Sequence, residues 1–302
     1  MRVHISNQNL SVLLLIIASV GISFGGLIMR NIDYADAWQI SFFRSLGFIS
    51  SVTIVLLEKY KFKLFINIKK IGRMGILGSL FLMSAHLLFI LSFSKTTIAN
   101  TLFTLSFIPF LTAILGLIFL NEKISFRTFI IMTFALIGIL IMIKDSLNNN
   151  DYYGNVLALF CAVCFSCFII IIRKYNYIDM LPCALISGIF LVTLTLVVNL
   201  GNIIIPMKDI LLCFFWGALL HCFMNIVFIF SSRFLYASEI TLFMLVEFSL
   251  GPFWVWVFLD ETFSENTLYG GIIVLLSVAT YSFLEMYSQK KLKNVPKIKK
   301  TY

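Results

Sequence analysis

The stretch Ile240–Glu261, ITLFMLVEFSLGPFWVWVFLDE, is apolar enough to cross a membrane, yet its interior contains an acid, Glu247, and a proline, Pro252. A transmembrane helix needs about 20 mainly apolar residues to span roughly 30 Å of hydrocarbon. Glu247 lies about eight residues, or roughly 12 Å, from one end, near the bilayer centre, where an ionisable group costs at least ~2.5 kcal/mol. Pro252 frees a backbone carbonyl near Phe248 that lipid cannot satisfy. Both features predict a polar space inside a helix bundle, although a structural hydrogen bond to a neighbouring helix is the alternative for Glu247.

The composition of the whole chain is that of an integral membrane protein. Of its 302 residues, 60% are hydrophobic and 12% are charged, and the mean hydropathy is +1.00, whereas soluble domains contain about 25% charged residues. Continuous apolar windows predict an all-α fold with ten transmembrane helices rather than a barrel. The predicted spans are Ser11–Met29, Trp38–Leu57, Met74–Ser94, Ile98–Leu120, Thr128–Ile143, Tyr152–Ile172, Leu181–Asn199, Ile210–Ser231, Ile240–Leu259 and Thr267–Ser288.

The distribution of basic residues predicts how the chain is oriented. If the N-terminus is inside, the inner connections and termini contain 18 of the 23 Lys and Arg residues, as the positive-inside rule requires. Both termini are therefore predicted to face the cytoplasm, in a multi-pass protein of the inner, or plasma, membrane. The net charge of +9 is then a topology signal, and nucleic-acid binding, which calls for a basic folded surface, is not favoured.

Two pairs of short motifs indicate an internal repeat. RNIDYADAW, from Arg30, and RKYNYIDML, from Arg173, share Arg, Tyr and Asp in register. LIFLNEKIS, ending at Ser125, and WVFLDETFS, ending at Ser264, share Phe, Leu, Glu and Ser. The two offsets, 143 and 139 residues, predict two related halves of similar length.

The repeat places a boundary near the turn Asn148–Asn150. We predict a first five-helix repeat over residues 1–147, a second over 151–288 and a basic cytoplasmic tail over 289–302. Because each half crosses the membrane an odd number of times, the second half is inverted relative to the first. Inverted repeats are the architecture with which many secondary transporters expose one central site alternately to either side.

Ten helices in two repeats, the acidic motifs FLNEKIS and FLDETFS, and SFGGLIMR followed by DAWQISFFRS resemble the drug/metabolite transporter superfamily, EamA type. The resemblance implies a carrier of small organic molecules, often amino acids or other metabolites and often outward. It also implies a central cavity lined by helices one, three, four, six, eight and nine. One departure is that the acid-proline pair of helix nine is Glu247-Phe248 here, with Pro252 four residues later. The kink in helix nine is therefore expected about one turn from the family position.

Other polar residues in the predicted spans are candidates for the same cavity. His86 lies in helix three and Asn100 in helix four, while His221 and Asn225 lie four residues apart, on one face of helix eight. At the repeat offset of 139, His86 corresponds to Asn225. Any one of these residues is explained by an interhelical hydrogen bond, but together they predict polar groups on both sides of one site.

Two further residues were assigned to the candidate site. Arg44 lies about six residues, or roughly 9 Å, inside helix two. There it lines the site, snorkels outward or braces another helix. Trp216 is a candidate because it shares helix eight with His221.

Other functional classes find less support in the sequence. Cys161, Cys164 and Cys167 have a spacing that carries them around a helix, which favours packing over a metal site, and no cofactor is predicted. The histidines at positions 4, 86 and 221 do not form the cluster of acid, base and nucleophile that an intramembrane enzyme needs. A channel calls for rings of charge or carbonyl groups, which one central acid does not provide.

The predicted function is therefore a secondary transporter that exports a small amphipathic metabolite, most simply one that resembles an amino acid. The predicted site has one acid and no paired basic residues at mid-membrane, which disfavours phosphorylated sugars. The expected partners are this substrate, the lipid bilayer and a coupling proton, in a monomer or homodimer. The alternatives are an uptake carrier for a nucleoside or an amine, and a polytopic membrane protein without transport activity.

Overall fold

The computed structural model of the chain describes residues 2–61, 64–96, 98–123, 125–143, 152–199, 202–259 and 265–293. Every regular element in these ranges is helical. The predicted turn at Asn148–Asn150, the acidic residues Asp260 and Glu261, and residues 294–302 of the basic tail lie outside the described residues.

The described ranges contain fifteen α-helices and one π-helical segment. In chain order they are α1 (Arg2–Ile22), α2 (Gly25–Arg30), α3 (Ala37–Tyr60), α4 (Leu64–Lys70), α5 (Gly72–Lys95), α6 (Ile98–Leu105), α7 (Ile108–Leu120), α8 (Phe126–Ile143), α9 (Tyr152–Lys174), α10 (Leu181–Val198), α11 (Met207–Phe215), the π-helical segment (Trp216–His221), α12 (Cys222–Ser231), α13 (Ala237–Leu242), α14 (Met244–Leu259) and α15 (Glu265–Lys293).

Six helical segments in the described ranges are long and apolar enough to cross a membrane. They are Asn7–Arg30, Ala37–Tyr60, Gly72–Lys95, Tyr152–Lys174, Leu181–Val198 and Met207–Ser231. The other four predicted spans coincide with α6 and α7, with α8, with α13 and α14, and with α15. The prediction of an all-helical membrane protein is therefore confirmed, while the count of ten crossings stays a prediction.

Large apolar side chains cover the outer surface of the bundle. Ile118, Phe129, Val197 and Leu276 are each more than half exposed. In water such a surface is unfavourable, but the lipid interior is an apolar solvent that accepts these side chains at no cost. The exposed apolar surface therefore agrees with a membrane-embedded bundle.

Two aspartates related by the sequence repeat begin helices in the same way. The Asp36 carboxylate accepts hydrogen bonds from the backbone N–H groups of Trp38 and Gln39 at the start of α3. The Asp179 carboxylate accepts one from the N–H of Leu181, the first residue of α10. Because the first N–H groups of a helix have no partner within it, each aspartate satisfies a donor that lipid could not.

Three of the predicted spans are interrupted helices. The first is broken at Ser23 and Phe24, between α1 and α2, and the fourth between α6 and α7. The ninth is broken at Phe243, between α13 and α14, where the N–H of Val246 bonds to the carbonyl of Phe243. At Pro252, where the sequence predicts a kink, α14 continues without interruption. A proline removes one hydrogen bond, which neighbouring groups in a membrane bundle can compensate without ending the helix.

Contacts between distant connections divide the bundle into two ends. At one end the Asp179 carboxylate binds the Lys59 ammonium and the Tyr60 hydroxyl, and Arg233 lies 3.4 Å away. Burial raises the pKa of Asp179, but the hydrogen bonds from Lys59 and Tyr60 outweigh this effect and hold the pKa below its ordinary value. Asp179 is therefore ionised at neutral pH and ties three connections together.

The opposite end is held by Asp209. Its carboxylate is buried and accepts hydrogen bonds from the N–H groups of Tyr34 and Ala35 at 2.9 and 3.1 Å. Beside it, Lys208 forms an ion pair with Asp33 at 2.6 Å. These contacts fix the connection that precedes α3 against the start of α11.

Candidate functional site

A small cavity, of about 70 Å³, lies among the helices and is lined by residues of α1, α3, α5, α6, α7, α9, the π-helical segment, α12 and α14. This volume accommodates a few water molecules and is well below the 300 Å³ or more that encloses a drug-sized ligand. The lining helices correspond to predicted spans one, two, three, four, six, eight and nine. The family resemblance implied all of these except the second.

Six of the seven predicted site residues line this cavity. They are Arg44, His86, Trp216, His221, Asn225 and Glu247. Asn100 lies in α6, and its side chain is outside the described part of the structure.

Glu247 occupies the first turn of α14, just after the interruption at Phe243. A helix N-terminus carries a partial positive charge, so this position favours a carboxylate. The side chain is only 8% exposed. It makes no hydrogen bond or ion pair with any residue that the structure describes. The guanidinium of Arg44, which lines the same cavity, attracts this carboxylate without bonding to it directly. Burying an acid without a hydrogen bond is costly.

His86 and His221 contact each other directly across the cavity wall. Their Nε2 atoms are 2.7 Å apart, and the ring of Phe48 packs edge-on against both imidazoles. One Nε2 must carry a proton and the other must accept it, because two N–H groups cannot share this contact. The pair therefore joins α5 to the π-helical segment through a single proton.

Asn225 lies one turn after His221, as the predicted helical spacing required. Its amide nitrogen donates to the carbonyl of His221 at 2.9 Å. Its Oδ1 atom is buried and has no hydrogen-bond partner among the described residues. The Nε1 of Trp216, also buried, likewise lacks a partner within the described ranges. Two residues that line the cavity, Asn225 and Trp216, thus each have a polar atom without a partner among the described residues.

Arg44 is buried in the cavity wall rather than at the periphery of the bundle, and it is 2% exposed. Its Nη2 donates to the carbonyl of His86 at 3.1 Å, so the side chain braces α3 against α5. The guanidinium also lies 5.0 Å from the Trp216 ring and 5.8 Å from the Phe89 ring, within range of cation-π attraction. Arg44 therefore does not snorkel outward. Its side chain both braces α3 against α5 and lines the cavity.

Two glycines bring α3 close enough to line the cavity. A Cβ atom on Gly217 would lie 1.8 Å from the carbonyl oxygen of Arg44, and one on Gly47 would lie 2.2 Å from the carbonyl oxygen of Phe214. Neither position can hold a larger residue without separating the two backbones. In the sequence this pair is marked only by two small residues within apolar spans, so their close approach is not predicted.

Toward one end of the bundle, aromatic residues join α14 to the break between α1 and α2. Trp254 is seven residues after Glu247 on α14, a distance of about 10 Å. Its ring stacks on Phe24 with 4.4 Å between centroids, and its Nε1 donates to the hydroxyl of Ser23 at 2.7 Å. We call Ser23, Phe24 and Trp254 the aromatic closure.

Toward the other end of the bundle, the contacts between helices are made by polar and charged groups. The Thr112 and Thr241 hydroxyls are 2.8 Å apart and fully buried. Beyond them the Glu122 carboxylate accepts from Arg173 Nε at 2.6 Å and from the N–H of Ala237 at 3.1 Å. We call these five residues the polar closure.

The predicted packing cysteines lie on α9. Cys161 is buried at the cavity, and its thiol donates to the carbonyl of Ala85 at 3.2 Å. Cys164 and Cys167 are partly exposed, and all three thiols are free. Cys161 is therefore a native chemical reporter for access to the cavity.

The fold and this buried site define a polytopic helical membrane protein. Residues 9–144 match the sequence profile of the EamA-like transporter family. This part of the chain, just under half of it, therefore matches the drug/metabolite transporter superfamily, of the EamA type. The resemblance seen in the sequence is thereby confirmed.

Comparison with solved structures shows that the same fold occurs elsewhere. One crystal structure superposes with a TM-score of 0.72 and 12% sequence identity, and the match covers 92% of this chain and 98% of that chain. At this identity the similarity concerns the fold alone. A search of curated proteins found no match.

Proposed function

We propose that this protein is a secondary transporter that exports a small zwitterionic metabolite resembling an amino acid. One observation carries the proposal. The cavity is lined by a buried carboxylate, Glu247, that lacks a hydrogen bond or ion pair within the described residues. It is also lined by Trp216 and Asn225, whose Nε1 and Oδ1 atoms lack partners among those residues. Buried polar groups without partners are rare and costly, so a ligand that supplies the missing partners would bind there.

The arrangement of charges suggests how such a ligand is held. Glu247 and the Asn225 oxygen accept hydrogen bonds, which suits an ammonium group. Arg44 has five N–H donors, of which the described residues occupy one, and with the Trp216 N–H it suits a carboxylate. Phe165 and Phe228 supply apolar wall for the remaining side chain.

Transport in this proposal proceeds by alternating access. The aromatic closure and the polar closure lie on opposite sides of Glu247, so opening one while the other stays shut would expose the site to one side at a time. Because the cavity of about 70 Å³ is smaller than an amino acid, the described state is interpreted as occluded. The substrate would enter only when a closure separates.

The proposed architecture is ten transmembrane helices in two inverted repeats, residues 1–147 and 151–288, followed by the basic tail 289–302. The equivalent capping by Asp36 and Asp179 supports the repeat. So do the interruptions of the fourth and ninth spans, because these two spans have the same place in their halves. The distribution of Lys and Arg supports a plasma-membrane protein with both termini cytoplasmic.

A proton is the proposed coupling ion. Glu247 can bind either a proton or the ammonium group of the substrate, so the two would compete and exchange at one carboxylate. The contact between His86 and His221 holds one proton, and a second would replace its hydrogen bond by repulsion. Protonation of this pair would therefore loosen α5 from the π-helical segment.

An uptake carrier for an amine or a nucleoside is the second candidate. A single carboxylate beside aromatic rings binds an organic cation without any help from Arg44. This candidate predicts ligands that lack a carboxylate, whereas the proposed function predicts that both charged groups are needed. Either carrier functions as a monomer or a homodimer.

The decisive experiment is a thermal-shift screen of the purified protein against amino acids, amines, nucleosides and phosphorylated sugars. A ligand that binds the folded state stabilises it, by about 2.7 kcal/mol at a concentration of 100 times its Kd. The melting temperature rises as a result. We expect stabilisation by one or more amino acids and little by the matching decarboxylated amines. Stabilisation by phosphorylated compounds alone would overturn the proposal.

A further inference from the structure

The residue Glu122 follows α7 at a sharp reversal of the chain. Asn121 ends the helix in the left-handed region, with φ 54° and ψ 27°, a conformation that asparagine tolerates better than most residues. The N–H of Glu122 then bonds back to the carbonyl of Gly116 at 3.1 Å. This turn directs the Glu122 side chain toward α9 and α13 rather than onward into the next connection.

The carboxylate of Glu122 joins three helices at once. One oxygen accepts from Arg173 Nε, at the end of α9, and the other accepts from the N–H of Ala237, the first residue of α13. Arg173 is itself held by the carbonyl of Ser232, to which its Nη1 donates at 2.8 Å, and by the ring of Tyr236 at 5.7 Å. Removing the Glu122 charge would weaken the attachment of both helices to α7.

Helix α13 lies between this carboxylate and the cavity. Ile240, Leu242 and Phe243 are fully buried, and α14 with Glu247 follows directly. On the far side, Arg173 and Tyr236 line a broad depression of about 740 Å³. If α13 moved away from α7, the cavity and the depression would become continuous.

We propose that Glu122 is a positioning residue that latches α13 in the closed state, and that its release opens the cavity toward the depression. The proposal rests on the transport function proposed above, because only a carrier needs this end to open. The side chains of Arg173 and Glu122 are 16% and 14% exposed, so water reaches the pair and can replace its contacts. A fully buried pair could not be separated so readily.

The test uses Cys161 as the reporter, in a variant whose other five cysteines are replaced. The protein is placed in sealed vesicles, and a small membrane-impermeant thiol reagent is added to either face. A cysteine at the exposed position Lys123, in a separate cysteine-free variant, identifies the face on which Glu122 lies. The measured quantity is the rate of Cys161 labelling from each face.

We expect Glu122→Gln to accelerate labelling about tenfold from the face marked by position 123, and not from the other face. Tenfold is the change expected when a charge-assisted hydrogen bond becomes a neutral one. The matched control Lys123→Gln removes a neighbouring exposed charge and should change the rate less than about twofold. Arg173→Lys keeps the charge but loses the forked geometry. It provides a second variant, with an expected rise of about threefold.

The latch is contradicted if Glu122→Gln lowers the melting temperature while labelling stays unchanged, since the residue would then be only structural. It is also contradicted if labelling rises equally from both faces, or if Lys123→Gln has the same effect. Labelling requires no substrate. The latch can therefore fail while ligand binding succeeds, and the transport proposal can fail while the latch holds.

Discussion

At one end of the cavity Trp254 stacks on Phe24 and donates one neutral hydrogen bond, whereas at the other end Glu122 holds two helices by its charge. An aromatic stack is worth about 0.5–1.5 kcal/mol beyond its buried area, and a neutral hydrogen bond about 0.5–1.5 kcal/mol. Hydrogen bonds to charged groups are worth about 1.5–3 kcal/mol each. The polar closure should therefore be harder to open than the aromatic closure.

This difference has a mechanistic consequence for a carrier. Two unequal closures around one site make the protein rest with one side more accessible than the other. Substrate and proton binding at the centre must then supply the energy that releases the stronger closure, since a ligand shifts an equilibrium only through its different affinity for the two states. The comparison leads to three predictions, in order of decreasing effect.

The largest effect is expected at the centre that both closures enclose. Glu247→Gln keeps the shape of the side chain but removes its charge, and with it the contact proposed for the ammonium group of the substrate. We expect transport of the compound identified by thermal shift to fall about 100-fold, as the loss of a charged hydrogen bond implies. The matched control is Glu58→Gln, on the exposed end of α3, which should leave transport unchanged. The assignment would be contradicted if Glu247→Gln transported the compound at the normal rate and with the normal pH dependence.

The second prediction concerns the close contact between α3 and the π-helical segment in the cavity wall. Gly217→Ala places a methyl group 1.8 Å from the carbonyl oxygen of Arg44, so α3 and the π-helical segment must separate. Overpacking of this kind costs about 1–3 kcal/mol, and we expect a lower melting temperature together with weaker ligand binding. Gly26→Ala is the control, because its methyl group would lie at an ordinary 3.6 Å from Ile98. Equal melting temperatures for the two variants would show that the close approach is not needed.

The smallest effect is expected at the aromatic closure. Trp254→Ala removes the stack on Phe24 and the bond to Ser23, and should raise Cys161 labelling about tenfold from the face opposite Glu122. Trp254→Phe keeps an aromatic ring and loses the donor, so a rise of about threefold is expected. Labelling of both variants from the Glu122 face instead would reverse the assignment of the two ends.

The part of the site that the sequence predicted follows from one physical rule. Arg44, His86, His221, Asn225 and Glu247 are polar or charged residues in apolar spans, and such groups avoid lipid by facing the bundle interior. This rule predicts that they converge, and they do line one cavity. It does not predict partners, which is why the contact between the two histidines was not anticipated.

The closures could not be predicted from the sequence. Thr112, Thr241 and Ser23 are small residues that can satisfy their hydroxyls on the preceding turn of their own helix, so they give no sign of a long-range contact. Their pairing depends on where distant helices cross. The break at Phe243 is likewise not predictable, because no glycine or proline lies beside it in the sequence. The helix continues through Pro252, where the local sequence signal is stronger.

The central claim is that a zwitterionic metabolite is carried by alternating access around Glu247, and counterflow tests it most directly. Liposomes containing the purified protein are loaded with the unlabelled amino acid that stabilises it, and a trace of labelled amino acid is added outside. A carrier exchanges one molecule for another, so we predict transient accumulation of label above its external concentration, with none for Glu247→Gln. Equilibration without accumulation would indicate a channel, and accumulation by Glu247→Gln at the wild-type level would contradict the account.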